Sequence, residues 1–238
     1  MKKYFCGIVI SASMFLAAGE QPNVSWDFNG LENGVAVPSD GKYQATVVRS
    51  EHVAAIPGKT GKAVSIRGEY KGSRAGALIV KKFDFDFSKP FTAEVLVRFS
   101  GKIDRKMRRE IFSMADTEHG PGVRFSFYYD ALDFATGDGK KKEVIRTASS
   151  ALTVTPEQWH LLTVTYDGKK VTLYCDGVAA AEKGMTVRPA EKTKTLSIGS
   201  YKNGLAYPLL GAVNSLKFYD FCKTAGQVAE RYASIFGE

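Results

Sequence analysis

Histidine and cysteine are scarce in this chain of 238 residues, three of each, and their spacing removes several chemistries. There is no His-Glu-x-x-His and no Cys-x-x-Cys, and His52 and His119 have no ligand-spaced neighbour, so no transition-metal centre is legible. Gly-x-Ser-x-Gly is absent, which sets aside the hydrolases that carry their serine on a nucleophile elbow. Beyond the N-terminus no run of about 18 apolar residues occurs, so no transmembrane segment is expected. Gly58-Lys59-Thr60 invites a phosphate-loop reading, but position 53 is valine rather than glycine. A strand, Ala63-Val64-Ser65-Ile66, also follows where a helix would be required.

What the N-terminus does contain is a targeting pattern. Lys2 and Lys3 precede an apolar run from Tyr4 to Leu16, and Ala17-Ala18-Gly19 places small residues where a signal peptidase cuts. Residues 1–19 therefore read as a signal peptide and 20–238 as one domain, secreted to the periplasm, the exterior or the cell surface. Cys6 has no small residue before it, which argues against a lipid anchor. Export leaves Cys175 and Cys222, which pair only if their Cα atoms come within about 7 Å; a disulfide and two buried thiols are both open.

The formal net charge is +8, two of it from Lys2 and Lys3. A moderately basic exported chain favours acidic partners such as anionic polysaccharide, envelope polymer or phospholipid head groups, and makes nucleic acid a poor one. Its basic clusters, Lys102, Arg105, Lys106, Arg108 and Arg109, then Lys140 to Lys142, read as solvated loop and strand-edge charges.

The remainder has the period of strands. Trp159 to Tyr166 alternates as a strand buried on both faces, Asp167-Gly168 and Asp176-Gly177 supply hairpin corners, and Val171 to Cys175 runs between them: a three-strand meander. Val24, Trp26 and Phe28 share one strand face. Val123, Phe125, Phe127 and Tyr129 share another, with Arg124, Ser126 and Tyr128 opposite. Val228, Tyr232 and Phe236 sit at helical spacing near the C-terminus. Asp84 and Asp86 alternate with Phe83, Phe85 and Phe87. A retaining glycosidase needs two carboxyls about 5 to 5.5 Å apart, and without a glutamate or a third acid these read as surface acids between core phenylalanines.

Trp159-His160, Thr165-Tyr166-Asp167-Gly168 and Leu173-Tyr174-Cys175-Asp176-Gly177 resemble the signature of bacterial laminin-G-like domains, in the concanavalin A-like lectin/glucanase superfamily. Gly58 to Ile66, Phe91 to Phe99 and Leu210 to Tyr219 resemble further strands of that family, so the likeness runs from Val24 to the C-terminus. It implies an all-β, two-sheet antiparallel jelly-roll sandwich with a short C-terminal helix, and a structural role for His160. It further implies that oligosaccharides, where bound, lie on the concave sheet. Arg124 and Tyr128, with Tyr201 and Tyr207 in the loop before the last strand, are then the candidate ligand-binding residues, because a sugar stacks on a ring whose polar tip meets its hydroxyls. Family members often hold a structural Ca²⁺ between the first strand and an acidic pair in the last. Here Asp27 and Asn214 hold those positions, and Asn214 brings only a neutral carbonyl oxygen. The function implied is a secreted, non-catalytic module for a polysaccharide, a cell-surface glycan or another extracellular polymer. The alternatives are a glycoside hydrolase or polysaccharide lyase on the same fold, and a cell-surface structural or adhesion module with a protein partner.

Overall fold

Asp176 and Gly177 both take positive φ, 50° and 81°, so the chain reverses in two residues and Cys175 faces Val178 across the turn. Corners of this kind organise the whole chain. The computed structural model describes residues 21–237 except 30, 39–40, 70–73, 102–105, 116, 118, 150–151, 153 and 190–193. The expected signal peptide, residues 1–19 with Cys6, and the basic residues Lys102 and Arg105 lie outside the described residues.

In chain order the strands begin with β1 (Val24–Trp26), β2 (Leu31–Glu32), β3 (Val35–Ala36), β4 (Ala45–Val48), β5 (Val53–Pro57) and β6 (Lys62–Ile66). Next come β7 (Ala77–Lys81), β8 (Phe91–Phe99), β9 (Arg109–Ser113), β10 (Gly122–Tyr128), β11 (Ala131–Gly137) and β12 (Lys142–Arg146). The last are β13 (Trp159–Tyr166), β14 (Lys170–Cys175), β15 (Val178–Gly184), β16 (Thr195–Ile198) and β17 (Gly211–Tyr219), before helix α1 (Ala225–Phe236). One antiparallel sheet runs β15-β14-β13-β8-β17-β6-β5, with β1 also on β17; the other runs β12-β11-β10-β9-β16-β7-β4-β3-β2. This is the expected two-sheet sandwich. The meander lies beside the expected central strand, and β8 begins at Phe91 and ends at Phe99.

Between the sheets the core is strongly aromatic. Phe218 lies against Phe83, Phe85 and Phe112 with ring centroids 5.4 Å away and against Phe87 at 5.7 Å, and it meets the edge of Trp26 at 6.4 Å. The Trp26 indole N–H, fully buried, donates to the Tyr43 carbonyl at 3.0 Å, so its polar end is satisfied inside. Phe83 to Phe87 is a loop rather than a strand: Phe83 and Phe87 are buried and Asp84 is exposed, as surface acids between core rings should be. Asp86 accepts from the backbone and hydroxyl of Ser88, and chiefly that hydroxyl bond holds its carboxyl below the usual range. Tyr129 departs from the expected alternation. With φ at 53° it sits in the β10–β11 turn and is 44% exposed, because the turn, not the strand, sets its direction.

Two edges are closed by side chains. Thr224 and Gln227 form a reciprocal capping box at the start of α1, which packs on the outer face of the first sheet. At the other edge Glu143 of β12 accepts from the backbone N–H groups of Thr186 and Val187 at 2.7 and 3.0 Å, and pairs with Lys183 at 3.3 Å, so it joins the two sheets. Burial opposes the charge of Glu143, but those donors outweigh it and bring its pKa to about 2. A folded-state pKa depressed from 4.5 stabilises the fold above pH 4.5, and that contribution is lost as pH falls towards 2. Glu143→Ala is expected to lose about 2 to 3 kcal/mol at pH 7 and markedly less at pH 3, measured by urea unfolding at both.

The two cysteines do not pair. Cys175 stands opposite Leu162 in β14, while Cys222 follows β17 with its thiol 3.6 Å from the Lys223 carbonyl. Burial first, then Asp176, pushes the Cys175 thiol up to about 12.

Candidate functional site

Strand alternation puts Arg124, Ser126 and Tyr128 on the face of β10 turned away from the core, spaced over about 13 Å. The register carries that face sideways. Ser126 is opposite Asp133 of β11 and Glu110 of β9, and Asp133 is opposite Arg146 of β12. Each buried carboxylate meets the Nε/Nη2 side of a guanidinium. Arg124 donates through Nε and Nη2 to Glu110 at 3.0 and 2.8 Å, and Arg146 donates through Nε and Nη2 to Asp133, the latter at 2.6 Å. Arg108 reaches Asp133 at 3.3 Å and the Ser126 hydroxyl at 2.7 Å.

The tyrosines lie on these guanidiniums. Arg124 is 4.3 Å from the Tyr201 ring centroid and 5.8 Å from that of Tyr207, and the two rings are themselves 5.8 Å apart. The Glu110 N–H donates to the Tyr207 carbonyl at 3.1 Å, which ties the loop before β17 to β9. At the other end Tyr128 is faced by Arg108 at 4.5 Å and Arg146 at 5.7 Å, and Tyr129 stands edge-on to it at 4.3 Å. All four expected ligand-binding residues thus lie on one sheet face, Arg124 with Tyr201 and Tyr207 in direct contact and Tyr128 in a neighbouring group.

Sequence reasoning missed Glu110, Asp133 and Arg146, and misjudged two arginines. Arg108 and Arg109 were expected as solvated charges; Lys106 and Lys140 to Lys142 are indeed exposed, but Arg108 joins the face and Arg109 is buried, donating to the carbonyls of Ser100 and Leu210. The reason is position. β9 starts at Arg109, so Arg109 enters the sheet, and Arg108, just ahead of it, reaches Ser126 and Asp133 with its side chain. The available signal was the acids: Glu110 and Asp133 sit among apolar strand residues, where an unpaired charge would be costly.

Electrically the face holds three guanidiniums against two carboxylates. Burial works against the charge on Arg124, but Glu110 outweighs it and the pKa is raised; that of Arg146 is raised chiefly by its bonds to Asp133. The positive charge is therefore fixed across the physiological range. Glu110 and Asp133 are 0% and 2% exposed, with all four oxygens engaged by arginine.

Asn214 does not offer a cation seat. Its Oδ1 accepts from the Thr60 N–H at 2.8 Å, and its Nδ2 donates to the carbonyls of Thr60 and Lys62 at 2.8 and 2.9 Å, clamping the β5–β6 turn. A Cβ at Gly58 would stand 2.8 Å from that amide, so a side chain there would have to displace the clamp. Asp27 is exposed and caps Asn29. A calcium ion needs oxygens, and the group aimed at these two carbonyls is an N–H donor, so the residues present do not fit it. Thermal unfolding of the protein is expected to be the same in calcium and in chelator. Asn214→Asp, which turns a carboxylate on two carbonyls, should be about 2 kcal/mol less stable in chelator.

Among the described residues one His/Cys/Asp group is close enough to share an ion: His160, Cys175 and Asp176. Its bonds are those of a hairpin clamp. His160 Nδ1 is 2.7 Å from Asp176, its Nε2 accepts from the Thr155 N–H at 3.0 Å, and Asp176 takes the Leu161 N–H at 2.8 Å. Burial opposes protonation of His160, but Asp176 outweighs it and raises the pKa.

The sequence model described as the concanavalin A-like lectin/glucanases superfamily matches residues 71–229. No curated protein matches. Among solved structures, the binding domain of botulinum neurotoxin DC in complex with rat synaptotagmin II superposes with a TM-score of 0.68 at 12% identity, over 90% of this chain and 51% of that one. The binding domain of Paraclostridial Mosquitocidal Protein 1 gives 0.66 at 17%, over 90% and 52%, and that of botulinum neurotoxin serotype G 0.66 at 14%, over 89% and 50%. The chain spans about half the length of these solved chains. Among the described residues no helix is long and apolar enough to cross a membrane.

Proposed function

We propose, from the premise that this chain belongs to the concanavalin A-like lectin/glucanases superfamily, that it is an exported, non-catalytic binding module for a glycan. The observation that carries this reading is the face on which Tyr128, Tyr201 and Tyr207 are held against guanidiniums. Rings held in place by guanidiniums can offer stacking surface without a large ordering penalty, and the arginines add donors for hydroxyl or acidic groups. Solved relatives supply two partner types. Cell entry of botulinum neurotoxin type C depends on two ganglioside molecules, and the DC domain is seen with synaptotagmin II, so a protein partner is the second reading. The hydrolase alternative is disfavoured by chemistry: Glu110 and Asp133, the acids that hold the arginines of this face, are buried beneath them and cannot protonate a glycosidic oxygen.

A panel of neutral and anionic polysaccharides tests the proposal by retention and by release of reducing ends. Retention without product is expected, and Tyr128→Ala and Tyr201→Ala should each weaken it about tenfold, a loss of 1 to 3 kcal/mol per ring being usual for stacked contacts. Product release would restore the enzyme reading, and no retention at all would shift weight to a protein partner.

A further inference from the structure

The other sheet carries a groove of its own. On the outer face of the first sheet the register aligns Trp159 of β13, Arg98 of β8, Ala212 of β17 and Ser65 of β6, and above this row lies a groove of about 780 Å³. That volume falls within the range of small-molecule sites. Its walls include Arg67, Arg98, Arg109, Ser100 and Glu157: three guanidiniums against one carboxylate. Glu157 is engaged elsewhere, for it accepts from the Gly101 N–H at 2.6 Å and stands 3.9 Å from Arg98 Nε, too far for a hydrogen bond. Arg98 Nε is consequently buried without an acceptor, and its guanidinium lies over the Trp159 ring at 5.3 Å. Arg67 is exposed at the rim. A buried donor left unmatched is unfavourable, and a planar guanidinium stacked on an indole is already oriented for a two-oxygen anion.

We propose that this groove is a second binding site, taking an acidic oligosaccharide whose carboxylate or sulfate groups are read by Arg98 and Arg67. The saccharide rests on the binding-module reading above; the preference for an anion rests on the groove alone, and the site is on the opposite sheet from the tyrosines.

The chain's two tryptophans make it measurable. Trp26 is wholly buried in the core, whereas Trp159 is half-buried beside Arg98, so a ligand on Arg98 changes tryptophan emission. Titrations use hexagalacturonate, a heparin hexasaccharide and the fully methyl-esterified hexagalacturonate at low salt. One or both acidic sugars should change the emission and the ester should not, and which of the two binds separates carboxylate from sulfate. Arg98→Gln and Arg67→Ala should each weaken binding at least tenfold, with Tyr128→Ala within twofold of the parent. Arg67 is exposed, so its variant carries the test if Arg98→Gln fails to fold. The inference is overturned if the ester binds equally, if neither acidic sugar binds, or if the arginine variants bind like the parent. It also falls if Tyr128→Ala removes the signal. Polysaccharide retention lost on Tyr128→Ala while groove binding also fails leaves the proposed function standing and this inference alone rejected.

Discussion

Replacing Glu94 with alanine is expected to destabilise the protein by about 3 to 5 kcal/mol. Glu94 lies on the outer face of β8 under helix α1, 2% exposed, and three groups converge on it. Lys223 Nζ is 2.6 Å away, the Tyr219 hydroxyl 3.0 Å and Arg231 of the helix 3.6 Å. Lys223 is itself buried and lies 3.8 Å from the Tyr219 ring centre. Truncating Glu94 leaves that ammonium in a dry site with no opposite charge beside it, and the penalty comes from the orphaned partner more than from the lost attraction. Replacing both residues together, Glu94→Leu with Lys223→Met, should recover most of the loss, because neither charge then remains to be desolvated. Urea unfolding with an unchanged slope checks both variants; a single-variant loss below about 1 kcal/mol would mean that water reaches Lys223. Arg231 ties α1 to the same acid, so the helix should become protease-sensitive before the sandwich does.

Local chemistry accounts for how much of this fold could be read from sequence. The hairpin corners at Asp167-Gly168 and Asp176-Gly177 were legible because positive φ has a short list of tolerant residues, and β8 and β13 because β-branched and aromatic residues alternate without a breaker. The helix was legible too, with α1 starting two residues after Lys223 behind its capping box. Less visible was anything decided by a partner far along the chain. Arg108 pairs with a carboxylate 25 residues away and Arg146 with the same one 13 residues away, and no periodicity announces either. Tyr201 and Tyr207 could be named as candidates, but their contact with Arg124 depends on how their loop docks on β9. Asn214 stands where the resemblance implies an acid, but an amide both donates and accepts whereas a carboxylate only accepts, so here the side chain is a hydrogen-bonded clamp.

Phe218→Ala should produce the largest loss in the core, also about 3 to 5 kcal/mol. The Phe218 ring is completely buried and meets Trp26 from β1, Phe112 from β9 of the opposite sheet, and Phe83, Phe85 and Phe87 from the loop ahead of β8. Removing it opens a cavity bounded by three separate elements, which limits how far any one can relax to fill it. Phe218→Leu keeps most of the volume and should lose about 1.5 kcal/mol or less, so the gap between the two variants reports the lost hydrophobic transfer and the cavity together. The near-ultraviolet dichroism of Trp26, whose ring Phe218 meets edge-on, should fall in the alanine variant while the backbone signal stays. β17 also follows directly on the Tyr207 loop, and its Gly211 lines the arginine groove, so both proposed faces adjoin the same strand. If both affinities fall only by the fraction unfolded, β17 acts as a rigid support. A larger fall in both, at temperatures where the variant is folded, would mean that the aromatic core sets the geometry of the two faces directly.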